Sequence, residues 1–153
     1  AQRVLILDLD VHQGNGTAAM SSDLHGIYTL SMHGEENYPF HKEQSDLDIG
    51  LPTGTSDHGY LTALDQALAQ AFSEARPDVV LYQCGVDVLA TDKLGKLALS
   101  PEGCAERDRR VFTACRQHNV GVACSMGGGY SPAINDIVSA HMTTFNLARE
   151  LWT

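Results

Sequence analysis

Residues 4–16 read VLILDLDVHQGNG and decide how this sequence folds. The first four residues are apolar and mostly branched, and glycines follow soon after, a pattern typical of a short strand buried in a parallel sheet. Asp8, Asp10 and His12 then occur at every second position, so in an extended backbone they project to one side. The stretch therefore predicts a core strand that delivers three polar groups at its carboxyl end.

The polar side of this stretch indicates a metal ion. Two carboxylates at the end of an apolar strand lose hydration and repel each other, unless they protonate, pair with cations or bind a metal. No Lys or Arg occurs between Arg3 and Lys42 to supply a cation. Asp10 and His12 are suitable ligands for zinc or a similar metal. For any single aspartate a helix cap or a solvated loop is the alternative, but the three together favour a metal site.

The composition narrows the class of protein. With 153 residues, 43% of them hydrophobic and 19% charged, the sequence predicts one soluble globular domain. A net charge of -9 argues against a nucleic-acid partner, and no apolar run is long enough to span a membrane. The four cysteines, at positions 84, 104, 115 and 124, form no CxxC pair. We expect buried thiols in a reducing compartment, and hence a cytoplasmic location.

Strand and helix patterns alternate along the chain. Strands are predicted at residues 4–7, 27–32, 47–51, 79–84 and 120–124. A loop turning into a short helix is predicted at 14–22, and longer helices after Ser56 or Asp57, after Ser100 and after Ser131. This alternation predicts an α/β domain with three layers, a mostly parallel sheet and helices on both faces. The charged cluster Glu106–Arg110 is interpreted as the solvated face of its helix, and His141 as a core or edge histidine.

Two more predicted strands end in residues that suit a catalytic site. Asp87 follows the strand at 79–84, and a glycine turn leads to Tyr130 after the strand at 120–124. Because sites form at the carboxyl ends of parallel strands, we expect Asp87 to meet Asp10 and His12. Two carboxylates and one imidazole leave a zinc coordination position open, as in catalytic sites. A tyrosine beside such a metal could stabilise an oxyanion.

Three motifs in this order resemble the zinc-dependent histone deacetylase family of the arginase/deacetylase fold: DLDVHQGNGT (8–17), CGVDVLATDKLG (84–95) and GGGY (127–130). The segment SMHGEENYPF (31–40) further resembles the bacterial deacetylase-like branch nearest the class IV enzymes. The resemblance implies an arginase/deacetylase-like fold. It also implies zinc-dependent hydrolysis of an acyl-lysine peptide or protein, or of a small N-acyl amine.

The resemblance also implies roles for individual residues. Asp10, His12 and Asp87 match the zinc ligands, and Tyr130 matches the tyrosine that polarises the acyl carbonyl. A structural monovalent cation, usually potassium, is implied at Asp8, Ser31 and Met32, together with backbone oxygens of Asp10 and His12. Asp8 also matches a residue that orients one active-site histidine. Asn15 matches a residue directed at a second such histidine, and Gly128 and Gly129 fall in the substrate pocket.

One departure from the family pattern concerns the general base. The family's catalytic His-His pair precedes the first motif, and no two histidines are adjacent in these 153 residues. We therefore expect residues 1–153 to be the C-terminal portion of a single deacetylase-like catalytic domain, incomplete at the N-terminus and weakly active or inactive in isolation. The alternative is a truncated, metal-binding module without activity.

A different class of enzyme also fits part of the opening stretch. Asp8-Leu9-Asp10-Val11 matches the short nucleophile motif of magnesium-dependent haloacid-dehalogenase-type phosphatases. That interpretation requires Asp8 as the nucleophile and a downstream lysine such as Lys93 or Lys96. It leaves His12 and the glycine-tyrosine turn unexplained, so the deacetylase interpretation is favoured.

Overall fold

A computed structural model describes residues 1–152 and confirms the α/β class. The strands in this range are β1 (Val4–Asp8), β2 (Ile27–Gly34), β3 (Leu47–Leu51), β4 (Val79–Gln83) and β5 (Gly121–Ser125). The helices are α1 (Asn15–Ser21), α2 (Asp57–Ala75), α3 (Pro101–Gln117) and α4 (Ile134–Trp152). None of these helices is both long and apolar enough to cross a membrane.

The strands form one parallel sheet in the order β3-β2-β1-β4-β5. The strand predicted from the opening stretch is therefore central, with β2 on one side and β4 on the other. Asp8 at its end pairs in register with Ser31 of β2 and with Gln83 of β4. Because all strands run in the same direction, the segments that follow β1, β4 and β5 lie together at the carboxyl end of the sheet.

Helices cover both faces of the sheet, which gives the predicted three layers. Leu5 and Leu7 of β1 are fully buried on the face where α2 and α3 pack. On the same face the ring of Tyr82 in β4 meets Phe112 of α3 edge-on, with centroids 6.1 Å apart. The opposite face is covered less completely: Thr17 of the short helix α1 lines a groove there with Ile6 of β1.

The first residues of α2 and α3 are joined by a side-chain contact. Ser100 caps α3 as predicted, since its hydroxyl oxygen accepts a hydrogen bond from the Gly103 N–H at 2.9 Å. The Ser100 N–H and hydroxyl in turn donate to the Asp57 carboxylate, at 2.8 and 2.6 Å. Ser56 occupies the N-cap position of α2, but its side chain makes no capping hydrogen bond. Asp57 thus stabilises the neighbouring helix start.

The prediction of a solvated charged cluster on α3 is wrong for two of its residues. Arg107 and Asp108 are only 0% and 1% exposed. They lie three and four residues after Cys104, on the inner face of the helix, and Val111 and Phe112 follow on that face at the next turn. A buried ion pair therefore lies within the helix layer.

The prediction of four buried thiols is wrong for Cys124. Cys84, Cys104 and Cys115 are buried, whereas Cys124 is exposed. Cys124 lies on β5, which pairs only with β4 and so forms an edge of the sheet in the described residues. A groove between β5 and α4, lined by Cys84, Met126 and Phe145 among others, leaves this thiol accessible.

We predict that Leu64→Ala in α2 lowers the free energy of unfolding by about 2–5 kcal/mol, because Leu64 is fully buried and truncation leaves a cavity. Urea denaturation measures the change. Leu24→Ala is the matched control, since Leu24 is 53% exposed and should lose less than about 0.5 kcal/mol. Equal losses in the two variants would contradict the assignment of the core.

Candidate metal centre

Three side chains that can bind a metal converge where β1 and β4 end. Asp10 and His12 follow β1, Asp87 follows β4, and one ligand atom from each lies within 4.8 Å of the others. His12 Nδ1 is 3.0 Å from Asp10 Oδ1 and 3.2 Å from Asp87 Oδ2. Asp87 is fully buried, while the side chain of His12 is 27% exposed. The three residues predicted to converge are therefore brought together, with the histidine on the accessible side.

Backbone N–H groups hold the two carboxylates in place. Asp10 Oδ1 accepts a hydrogen bond from the His12 N–H at 3.0 Å, which closes a tight turn after the strand. Asp87 Oδ1 accepts from the Val11 N–H at 2.9 Å, so the turn after β1 is bound directly to the turn after β4. Asp87 Oδ2 is buried, and no hydrogen bond of good geometry from the described residues reaches it. An oxygen with this environment fits a metal ligand.

The ionisation of these groups reflects their burial and contacts. Burial raises the pKa of Asp87, and the nearby Asp10 carboxylate adds to the shift. Burial acts the same way on Asp10, but hydrogen bonds from His12, Gly128 and Gln83 outweigh it and hold the pKa of Asp10 below its usual value. The contact of His12 Nδ1 with the Asp10 carboxylate, and the Asp87 carboxylate beside it, raise the pKa of His12 to about 10. The same clustering of two carboxylates and an imidazole is suited to a divalent metal, which would add positive charge between the carboxylates and bind the imidazole nitrogen.

Glycine is required where the backbone passes these carboxylates. The Gly128 N–H donates a hydrogen bond to Asp10 Oδ2 at 2.9 Å, and a Cβ at this position would lie 1.9 Å from Asp87 Oδ2. A Cβ at Gly85 would lie 2.3 Å from Asp10 Oδ2. Both distances are well below any van der Waals contact. The glycine turn after β5 therefore borders the site, together with the turns after β1 and β4.

Tyr130 lies at the end of this glycine turn. Its N–H donates a hydrogen bond to Asp92 Oδ2 at 2.6 Å, and its side chain lies at the surface. A Cβ at Gly129 would approach side-chain carbons of Val86 and Ile137 to 2.8 and 2.9 Å, so this glycine packs tightly between the two. Asp92 thus fixes the backbone of Tyr130. The roles of Tyr130 and Gly129 in catalysis and substrate binding stay predictions.

The residues predicted to bind a monovalent cation lie beside the triad. Asp8 and Ser31 are register partners on adjacent strands, and Met32 is the next, fully buried residue of β2. Asp8 Oδ1 accepts the Asp10 N–H at 3.1 Å, and burial raises the pKa of Asp8 to about 7. Asn15 begins α1 and is half-buried. The structure groups Asp8, Ser31 and Met32, and their role as a cation site stays a prediction.

Gln83 contacts the centre but is not among the predicted residues. Its Nε2 donates to Asp10 Oδ2 at 3.0 Å, and its Oε1 accepts from the Gly85 N–H at 2.7 Å. The amide therefore orients one carboxylate and braces the turn that precedes Asp87. A polar residue closing an otherwise apolar strand was the available sequence signal.

We predict that Gly128→Ala weakens divalent-metal binding by at least about 10-fold, because the added Cβ must displace the Asp87 carboxylate. Isothermal titration with a divalent metal measures the change. Gly121→Ala is the matched control, since a Cβ there meets no atom within 4 Å. Unchanged affinity in Gly128→Ala would show that the carboxylates do not form the metal centre.

Comparison with known proteins agrees with this fold. Residues 1–145 match the Histone deacetylase domain family. The chain is 46% identical over 152 residues to an uncharacterised protein of Picosynechococcus sp., covering 99% of this chain and 51% of that protein. It is 36% identical over 151 residues to Histone deacetylase 2 of Arabidopsis thaliana, covering 97% of this chain and 38% of the relative.

Solved structures show the same architecture. The fold superposes on a histone deacetylase homologue from Aquifex aeolicus with a TM-score of 0.79 and 27% identity, over 98% of this chain and 46% of the other. An acetylpolyamine aminohydrolase from Burkholderia pseudomallei, 22% identical, shares the fold with a TM-score of 0.80, over 98% of this chain and 46% of the other.

These matches, together with the parallel sheet and the carboxylate-histidine group at its edge, place the chain in the histone deacetylase family. The chain spans about half the length of the first curated relative it matches, and less of the second.

Family membership also decides against the phosphatase interpretation. That interpretation needs a lysine near Asp8, whereas Lys93 is exposed and Lys96 bonds the backbone oxygen of Glu36 at 3.0 Å.

Proposed function

We propose that this chain carries the metal-binding part of a zinc-dependent deacetylase, which hydrolyses the acyl amide of N-acyl-lysine or of a related small N-acyl amine. The observation that carries the proposal is the triad of Asp10, His12 and Asp87, whose ligand atoms lie within 4.8 Å of one another. Membership in a deacetylase family supports the reaction. An acetylpolyamine aminohydrolase shares the fold. The proposed substrate is accordingly an acylated lysine or a related small N-acyl amine.

The donor set suits zinc with one position left for chemistry. Two carboxylates balance the charge of a divalent ion, and one imidazole nitrogen completes three protein ligands, the arrangement of catalytic rather than structural zinc. A bound zinc ion would supply Lewis-acid activation of water and of the acyl carbonyl. Gln83 and the Gly128 N–H keep Asp10 oriented, and the Val11 N–H does the same for Asp87. These contacts hold the ligands in place before metal arrives.

Tyr130 is the proposed oxyanion donor. Its hydroxyl would donate a hydrogen bond to the acyl oxygen as negative charge develops there during attack by water. The contact between its backbone N–H and Asp92 limits movement of the turn that carries it. Gly128 and Gly129 would line the substrate pocket with backbone, since side chains of Asp87 and Val86 lie where a Cβ at these positions would be.

A second cation is proposed next to the first. Asp8, Ser31 and Met32, with backbone oxygens of Asp10 and His12, would hold a potassium ion. Oxygen ligands are suitable for such a hard cation. This assignment gives each of the closely spaced aspartates its own positive partner. Asn15 would orient a histidine that takes part in proton transfer.

The metal assignment is tested by zinc content. We expect about one zinc ion per chain in the wild type, and close to none after Asp87→Ala or His12→Ala, because a site with three protein ligands cannot hold zinc firmly with two. Elemental analysis after dialysis gives the stoichiometry. Asp65→Ala and His25→Ala are the matched controls, since Asp65 forms a surface ion pair with Arg110 and His25 is exposed. Wild-type protein without bound zinc would overturn the proposal.

Catalysis is tested separately with a fluorogenic acetyl-lysine peptide. The adjacent histidine pair that serves as the family's general base does not occur in these residues, and general-base catalysis contributes about 10²–10⁴-fold to rate. We therefore expect residues 1–153 alone to bind zinc but to hydrolyse the peptide weakly or not at all. Any longer form that the gene encodes should be more active if it supplies the pair. Efficient turnover by residues 1–153 would contradict the proposal that catalysis needs a general base that these residues do not contain.

The absence of an adjacent histidine pair also favours one alternative, a metal-binding module of the family without catalytic activity. The same two measurements separate the possibilities. Stoichiometric zinc with no deacetylation by any form of the gene product would favour the module.

A further inference from the structure

Arg107 is a fully buried arginine directly behind the metal centre. It belongs to α3, and its Nη1 donates hydrogen bonds to two backbone carbonyls, Gly85 at 2.6 Å and Leu9 at 3.3 Å. Leu9 immediately precedes Asp10, and Gly85 is two residues before Asp87. One guanidinium group therefore contacts both segments that carry the candidate ligands, from the side opposite to solvent.

The position of the guanidinium is itself fixed. Its Nε donates to Asp108 Oδ1 at 2.8 Å, and its Nη2 lies 2.8 Å from the same oxygen. Asp108 also accepts hydrogen bonds from the hydroxyls of Tyr82 in β4 and Thr144 in α4, each at 2.5 Å. The ring of Tyr82 lies 5.9 Å from the guanidinium carbon. The sheet, α3 and α4 thus all contribute to holding one side chain.

Stability alone does not account for this arrangement. Removing an arginine and an aspartate from water carries a desolvation penalty that often exceeds their mutual attraction, and apolar side chains of the same volume frequently stabilise a core better. A methionine and a leucine on α3 would also pack against the fully buried Phe112 and Val111. They could not donate hydrogen bonds to the carbonyls of Leu9 and Gly85. What the ion pair adds is a directional link between two turns.

We propose that Arg107 is a positioning residue that sets the separation between Asp10 and Asp87 by binding the carbonyls of Leu9 and Gly85. This inference rests on the proposed metal site and adds a residue to it. The hydrogen bonds of Arg107 in the described residues go to Asp108 and to the two carbonyls, and none goes to a candidate ligand atom. Arg107 acts through the backbone of the two turns, while Gln83 and Gly128 act on the carboxylate side.

The test uses cobalt(II), which accepts the same nitrogen and oxygen ligands as zinc and has visible absorption bands that depend on coordination geometry. Arg107→Lys keeps the charge but loses the planar fork that bonds Asp108 and two carbonyls together. We expect its cobalt affinity to fall by about 10–100-fold, with an altered visible spectrum. Competition with a chromophoric chelator gives the affinity, at a temperature where circular dichroism shows a folded protein.

Arg110→Lys is the matched control. Arg110 is also on α3, donates to the backbone oxygen of Leu61 at 3.0 Å and pairs with Asp65, but it faces away from the centre. The cobalt affinity and visible spectrum of Arg110→Lys should match those of the wild type.

A second variant is used if Arg107→Lys does not fold. The double variant Arg107→Gln with Asp108→Asn removes both buried charges together, and we expect the same loss of cobalt affinity.

The outcomes separate the two proposals. A wild type that binds no cobalt overturns the metal site and this inference with it. A wild type that binds cobalt, with Arg107→Lys or the double variant folded and unchanged in affinity and spectrum, overturns the positioning role alone. A lower melting temperature with unchanged affinity would count as the latter, since it shows a purely structural contribution.

Discussion

Two carboxylates buried a few ångströms apart repel each other strongly, and the structure around the sheet edge is organised to offset that repulsion. Between Asp10 and Asp87 lies the imidazole of His12, within ion-pair distance of both. Backbone N–H groups add partial positive charge to three of the four carboxylate oxygens. The opposite pKa shifts of the two aspartates follow from this unequal supply of donors, because Asp87 receives fewer and is more deeply buried.

Sheet topology explains why these groups can meet although they are distant in sequence. The central position of β1 gives its carboxyl end two neighbours, β2 and β4, and β5 comes next to β4. Residues near positions 10, 31, 85 and 128 therefore lie together at the carboxyl end of the sheet. The helix α3 also stabilises this end of the sheet, because Arg107 donates hydrogen bonds to the turns after β1 and β4. The candidate centre is held by both layers rather than by one loop.

Much of the fold and of the candidate site could be predicted from local sequence. Alternating strand and helix patterns gave the fold class, and polar residues at strand ends gave Asp10, His12 and Asp87. The burial of Arg107 and Asp108 follows from the periodicity of α3, since they share the spacing of Cys104, Val111 and Phe112. Their position on the helix outweighs their charge, which by itself predicts exposure. The exposure of Cys124 could not be predicted locally, because it depends on which strand forms the sheet edge.

The glycines beside the carboxylates restrict how this centre can be altered by design or by natural variation. At positions 85 and 128 the backbone already lies against Asp10 and Asp87, so no larger residue can approach the ligands from that side. Any change in the chemistry of the candidate centre must therefore come from exchanging Asp10, His12 or Asp87, or from the open side at His12. The fold thus fixes the shape of the candidate centre on the backbone side, and only its ligand chemistry and its open side are free to change.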